Sequence, residues 1–244
     1  CASSALTDYS QWATRAAELG LMLAGLLWSI RHLGQPTRAW RAFLGWRRSW
    51  LSREMLAFGA FTGAFVGLVI ADWTSDTNGM LQTALSWGVG ALGLVSVFTS
   101  VMIYAVTGRV AWKFPTTATR FFGTTLLLGA ASGVTALSLF APASQTSVWL
   151  GLTVASAVAK LAWEAHWKAR AKASEFEILR ASAQLLEGPL KNALKRRLLA
   201  TVLGLAGISM GTLLHLPLFT VLGLMGRILG EHMERRLYFR SGVP

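Results

Sequence analysis

Two side chains able to move protons, His32 and Glu54, stand at the two ends of one cationic stretch, residues 31–54, RHLGQPTRAWRAFLGWRRSWLSRE. The stretch holds Arg31, Arg38, Arg41, Arg47, Arg48 and Arg53, no acid before Glu54, and the tryptophans Trp40, Trp46 and Trp50. Apolar runs flank it on both sides. It is therefore expected to be a loop at a membrane face, with arginines on an anionic surface or acidic partner and indoles at the headgroup level. An imidazole titrates near neutral pH and a carboxyl group relays protons to water, which suits the two-proton chemistry that accompanies oxidation or reduction of a quinone. Plainer readings stay open: His32 as a helix-end residue bonded to water, and Glu54 as a first-turn acid favoured by the helix dipole behind Ser52. What favours the chemical reading is that both residues open on the same membrane face through one short loop.

The elements that must position this pair are membrane helices. The chain of 244 residues is 53% hydrophobic and 14% charged, with a mean hydropathy of +0.48. That excludes an ordinary soluble domain and leaves room for about seven spans of roughly 20 residues. The expected fold class is all-α, a polytopic transmembrane helix bundle forming one transmembrane domain over 1–244. Its spans are expected near 16–30, 54–72, 81–106, 119–141, 148–163, 198–216 and 218–230. The long polar segment 164–197, broken at Gly188 and Pro189, reads as an amphipathic surface helix and turn. Gly59, Ala60, Gly63, Ala64 and Gly67 recur at helical spacing in the second span and are expected to admit a close neighbouring helix. Lys160 is expected to snorkel from the fifth span. Glu231, Glu234, Arg235 and Arg236 read as a solvated helix end, with Arg227 pairing with Glu231 or with Glu18.

Charge sets the expected orientation. With seven alternating spans, the loops after spans one, three and five and the C-terminus share one side and hold every Lys and Arg except Arg15, counting Lys160 and Arg227 as snorkelling that way; the opposite side holds Asp8, Asp72 and Asp76. Positive residues stay in the cytoplasm, so the docking loop 31–54, the segment 164–197 and the C-terminus are expected to be cytoplasmic on a bacterial inner membrane. The net charge of +12 is accounted for by this asymmetry, and no nucleic-acid partner is expected. A single cysteine, Cys1, excludes an intramolecular disulfide and a cluster ligated by this chain's own thiolates, so any iron–sulfur cluster belongs to a partner. A chain that opens on Cys1 rather than Met reads as a fragment start. His166, His215 and His232 lie at predicted helix ends, with His215 on the opposite side, so neither haem nor a metal site is expected. The glycines of GVGALG read as helix packing, since a phosphate loop needs a strand and a lysine that are absent there. No Ser/His/Asp or Cys/His set assembles.

At HLGQPTRAWRAF followed by SWLSRE, the sequence resembles the membrane-anchor subunits of the dimethyl sulfoxide reductase type, the DmsC-like family. MIY before a proline-containing aromatic turn, RFFGTTLLLG in the next helix and a last helix ending in Gly-Glu near Tyr-Phe agree in order along the chain. The resemblance implies an eight-helix, haem-free, quinone-binding subunit; this chain begins too late to contain the family's first helix. It implies partners as well: an iron–sulfur electron-transfer subunit and a molybdopterin catalytic subunit, with those cofactors on the partners only. By motif, His32 and Glu54 are the quinone-site candidates, for ubiquinone or menaquinone, with Gly34 and Arg38 of the HLG block beside them. Arg41, Trp46, Arg47, Arg48 and Trp50 are the expected docking residues. A cytoplasmic docking face favours the related quinone-linked sulfite dehydrogenases, in which electrons pass from sulfite through clusters to quinone. The alternatives are a dimethyl sulfoxide or polysulfide type reductase oxidising menaquinol, and a purely structural anchor. A secondary transporter is disfavoured, because no repeated broken helices with midplane charges are present.

Overall fold

The computed structural model describes residues 15–16, 19–25, 27, 40–73, 79–140 and 146–242. Every regular element among them is helical, as the apolar runs require: in lipid each backbone N–H and C=O must be bonded within its own segment. In chain order these are α1 (Ala42–Gly45), α2 (Trp50–Trp73), α3 (Gly79–Ala105), a short 3-10 turn (Val110–Trp112), α4 (Phe114–Phe140), α5 (Thr146–Lys172), α6 (Glu177–Glu187), α7 (Lys191–Leu213) and α8 (Pro217–Ser241). Among the described residues, α2 to α5 are each long and apolar enough to cross a membrane. The expected sixth and seventh spans correspond to α7 and α8, of 23 and 25 residues, whose length suffices but whose charged ends lower their apolarity. Within the expected first span, residues 16, 19–25 and 27 are described and helical, and the others lie outside the described residues.

The chain divides into two compact units, Cys1–Tyr104 and Ala105–Pro244. In the first, α2 begins at Trp50, four positions before the expected span. Ser49 Oγ accepts from the Ser52 N–H at 3.4 Å, so Ser49, not Ser52, caps this helix. Helix α3 lies against α2 through Phe61, whose ring would stand 3.3 Å from a Cβ at Gly93, and through the edge contact of Trp50 with Phe98 at 6.1 Å. No atom lies within 4 Å of a Cβ built at Gly59, Gly63 or Gly67, so among the described residues these glycines do not serve the close approach expected of them.

Close helix packing occurs instead in the second unit, between α7 and α8. A Cβ at Gly204 would stand 2.7 Å from the Arg227 amide nitrogen and 2.9 Å from the Gly223 carbonyl oxygen, and one at Gly207 only 3.0 Å from the Gly223 Cα. Without side chains at these positions the two backbones meet directly, which is how helices associate when lipid offers no hydrophobic drive. The turn between them puts His215 at φ 54°, while Leu214 and Leu216 amides close it at 2.8 Å onto Met210 and Gly211 carbonyls. Pro217 then opens α8 at a position where its missing N–H costs nothing.

Charge also lies inside this unit. Lys160, expected to snorkel, is instead 5% exposed and donates to Glu231 and, at 2.6 Å, to Thr124 Oγ1. Glu231 and Glu234, expected on a solvated end, are 4% and 3% exposed. Arg120 of α4 donates to Glu234; Arg197 of α7 meets Glu164 of α5 at 2.6 Å; Arg227 lies 3.4 Å from Glu231 and donates to the Thr201 carbonyl at 3.2 Å. Four helices are thereby tied by ion pairs that hydropathy alone assigns to the membrane surface.

Candidate functional site

The described part of the candidate site is built where α1 turns into α2. The amides of Arg48 and Ser49 close onto the Gly45 carbonyl at 3.0 and 2.9 Å, which returns the chain towards α2. Arg53, half-buried in the first turns of α2, reaches back: its Nε donates to the Trp46 carbonyl at 2.8 Å and its Nη2 to the Arg47 carbonyl at 2.9 Å. The same guanidinium covers the Trp50 ring at 4.2 Å, Arg47 lies over Trp46 at 5.3 Å, and Arg41 over Trp40 at 5.8 Å. Each pair puts a cation on an indole face, an attraction of about 0.5–1 kcal/mol at exposed positions. The rim is thus pre-organised, and Arg41, Trp46, Arg47 and Arg48 are all exposed on it. At its centre Gly45 has no room for a side chain, because a Cβ there would stand 2.6 Å from Ser52 Oγ.

One turn into α2, Glu54 is half-buried and accepts a hydrogen bond from Ser100 Oγ of α3. Ser100 also approaches the Ser96 carbonyl at 3.3 Å, and Ser96 and Thr99 are buried beside it. Sequence reasoning singled out Glu54 but missed Ser100. The available signal was the hydroxyl cluster of Ser96, Thr99 and Ser100 in an otherwise apolar span, yet a helix hides such hydroxyls on its own carbonyls, as Ser96 and Thr99 do here. Among the described residues no cation forms an ion pair with Glu54 and no three His, Cys, Asp or Glu side chains converge as a metal-ligand set. A carboxyl group answered by a hydroxyl, with no ion pair among the described residues, can take up or release a proton. His32, Gly34 and Arg38 lie outside the described residues. His166, His215 and His232 are exposed, and each belongs to the second unit.

Residues 12–187 match the sequence model of the family described as DMSO reductase anchor subunit (DmsC). The chain belongs to this family. The resemblance seen at the HLG and S-x-E blocks is therefore one of descent across most of the chain. Beyond the DmsC family model, a sulfite dehydrogenase subunit of Allochromatium vinosum is 37% identical over 124 residues, which cover 46% of this chain and 37% of that protein. The match thus spans little more than a third of the length of the curated relative. No solved structure matches the chain. Membrane helices and membership of the DmsC anchor family together make the chain an integral membrane subunit associated with oxidoreductase complexes.

Proposed function

We propose that this chain is the quinone-site subunit of a molybdopterin oxidoreductase complex, passing electrons between a partner's iron–sulfur cluster and membrane quinone. The observation that carries the reading is the half-buried Glu54 carboxyl, held by the Ser100 hydroxyl at the end of an apolar span and beside a rim of exposed Arg–Trp pairs. A bound quinone supplies a two-electron, two-proton couple. Glu54 holds the proton that this couple needs and exchanges it with water at the membrane face, and Ser100 keeps the carboxyl oriented. His32, at the other end of the same loop, acts as the second proton-handling group, with Gly34 and Arg38 completing the contacts to the head group. The docking surface is the rim of Arg41, Trp46, Arg47, Arg48 and Trp50. Its exposed arginines suit an acidic face of the iron–sulfur partner, and its rigidity limits the entropy lost on docking.

The charge asymmetry supports a cytoplasmic location for this rim and the C-terminus on a bacterial inner membrane. A cytoplasmic rim, together with a relative named as part of a sulfite dehydrogenase, favours sulfite as the electron source and quinone as the acceptor. The test uses the assembled complex in membranes. Glu54→Gln and His32→Gln are each expected to lower quinone-linked turnover roughly 10²–10⁴-fold, the range of general acid–base contributions, while sulfite oxidation with an artificial dye and assembly of the complex stay intact. Full quinone-linked turnover in Glu54→Gln contradicts the reading and leaves a purely structural anchor.

A further inference from the structure

Within the second unit, a pocket of about 200 Å³ opens between the polar end of α5, the start of α7 and the last turns of α8. It lies where α5 passes from its apolar part into Glu164–Lys168, with Trp167 on its wall, the depth at which indoles and lipid headgroups meet. Leu161, Leu194 and Leu198 contribute apolar lining, and Arg120, Arg197 and Glu234 contribute polar lining. These three polar side chains are 7%, 2% and 3% exposed.

Their ion pairs do not exhaust their bonding. Among the described residues, Arg120 Nε, Arg197 Nε and Glu234 Oε2 have no hydrogen-bond partner, although each is buried; Lys160 Nζ lies 3.9 Å from Glu234 Oε2. A buried polar atom left unpaired is costly, and more so when charged, so three on residues lining one pocket mark a place for a ligand. The ligand must offer acceptors to two guanidinium N–H groups and a donor to a carboxylate oxygen. Charge narrows it further. The buried network sets Arg120, Lys160, Arg197 and Arg227 against Glu164, Glu231 and Glu234, four cations to three carboxylates, leaving one positive charge in a low dielectric. Arg120 is held in place by the faces of Trp167 at 5.2 Å and Tyr238 at 5.0 Å, so its free N–H is fixed in direction.

We propose that this pocket binds the headgroup of an anionic, hydroxyl-bearing phospholipid, of the phosphatidylglycerol type. The phosphodiester contributes the missing single negative charge and the acceptors for Arg120 and Arg197. A headgroup hydroxyl donates to Glu234, and the acyl chains follow the leucine wall into the bilayer. Basic pockets between membrane helices are an established place for such headgroups. Free phosphate shares the anion chemistry but not the hydroxyl or the acyl chains, and a neutral quinol shares the donor and acceptor pattern but not the charge.

The test uses the full chain, delipidated in neutral detergent, with thermal unfolding and native mass spectrometry as readouts. Phosphatidylglycerol is expected to raise the unfolding midpoint and to remain as a mass adduct, whereas phosphatidylethanolamine, inorganic phosphate and menaquinol do neither. Ala165→Trp, at the pocket's rim and outside the ion pairs, is expected to abolish both effects without shifting the midpoint of the lipid-free protein. Equal stabilisation by phosphatidylethanolamine, by inorganic phosphate or by menaquinol overturns the proposal, as does undiminished retention of phosphatidylglycerol in Ala165→Trp. Should that variant fail to fold, the ligand comparison on the unaltered chain decides alone.

Discussion

Glu54 bonds to a hydroxyl, whereas Glu164, Glu231 and Glu234 each face a cation. The difference separates two uses of a carboxyl group in a membrane. One opposite a buried cation is fixed in charge, because neutralising it strands its partner; breaking such a pair typically costs about 3–5 kcal/mol. Glu231→Gln leaves Lys160 and Arg227 facing each other without their shared anion. It is therefore expected to lower stability by a few kcal/mol, read as a depressed unfolding midpoint of the detergent-solubilised chain, irrespective of quinone chemistry. Ser100→Ala removes the hydroxyl that orients Glu54. It is expected to reduce quinone-linked turnover while dye-linked turnover in the same membranes is unchanged; a loss of both would make Ser100 a packing residue only. At this scale the sequence exposed the actors unevenly. Glu54 was legible because an acid at the mouth of an apolar span is costly and so rarely accidental. Ser100 was not, because its partner lies 46 residues away and nothing local marks it. Lys160 was misread for the same reason, since its counter-ion Glu231 is 71 residues distant.

Among the elements, the α7–α8 hairpin shows why a stripe of small residues in the sequence is not enough to identify an interface. Gly59, Gly63 and Gly67 have the spacing of a packing face yet no described atom within reach, while Gly204, Gly207 and Gly223 meet backbone to backbone. Which stripe is used depends on the partner helix. Gly204→Val should accordingly lower stability by at least about 1–3 kcal/mol, because rigid backbone cannot yield to the added methyls, whereas Gly129→Ala, with no atom within 4 Å, should be neutral or slightly stabilising. Parallel thermal unfolding of the two variants checks the contrast. Helix limits were legible to within several residues for α3, since an apolar run of set length is a strong signal, and less so for α5 and α8, which continue through polar sequence to Lys172 and Ser241. Beyond α5, Glu187 at the end of α6 is exposed and receives Lys172 at 3.2 Å and Lys168 at 3.3 Å. Hydrogen bonds from Lys172 and then Lys168 hold its carboxyl below the usual range. A depressed carboxyl contributes above its ordinary pKa and is lost as pH falls through the lowered one, so this tie between α5 and α6 persists at neutral pH and loosens only in acid.

For the whole molecule, the basic residues behind the net charge of +12 differ in their surroundings: Lys191, Lys195 and Arg196 are exposed in the second unit, and two further groups stand out. Arg41, Arg47 and Arg48 stay exposed on the rim, and Arg120, Lys160, Arg197 and Arg227 are taken inside the second unit. Arg15, the lone cation assigned to the acidic side, lies 3.3 Å from Asp72. With Cys1 replaced by Ser and Arg48 by Cys, labelling by a membrane-impermeant thiol reagent is expected only after the cytoplasmic face is opened; labelling of intact cells reverses the proposed topology. Arg47→Glu with Arg48→Glu is expected to weaken recovery of the soluble partners with the chain, most strongly at low ionic strength where exposed charges act furthest. The class of the molecule was legible from composition and from the HLG and S-x-E blocks, because both are local properties of the chain. The buried ion network and the pocket beside it were not, since they exist only once four helices have come together.

The central claim is that the carboxyl of Glu54 and the loop it closes handle the protons of a membrane quinone. A photoreactive quinone analogue, cross-linked to the active complex and located by peptide mass spectrometry, tests this most directly. Adducts are expected on peptides holding His32, Glu54 or Ser100, suppressed by excess natural quinone. Adducts confined to residues 105–244, with none on those peptides, would contradict it.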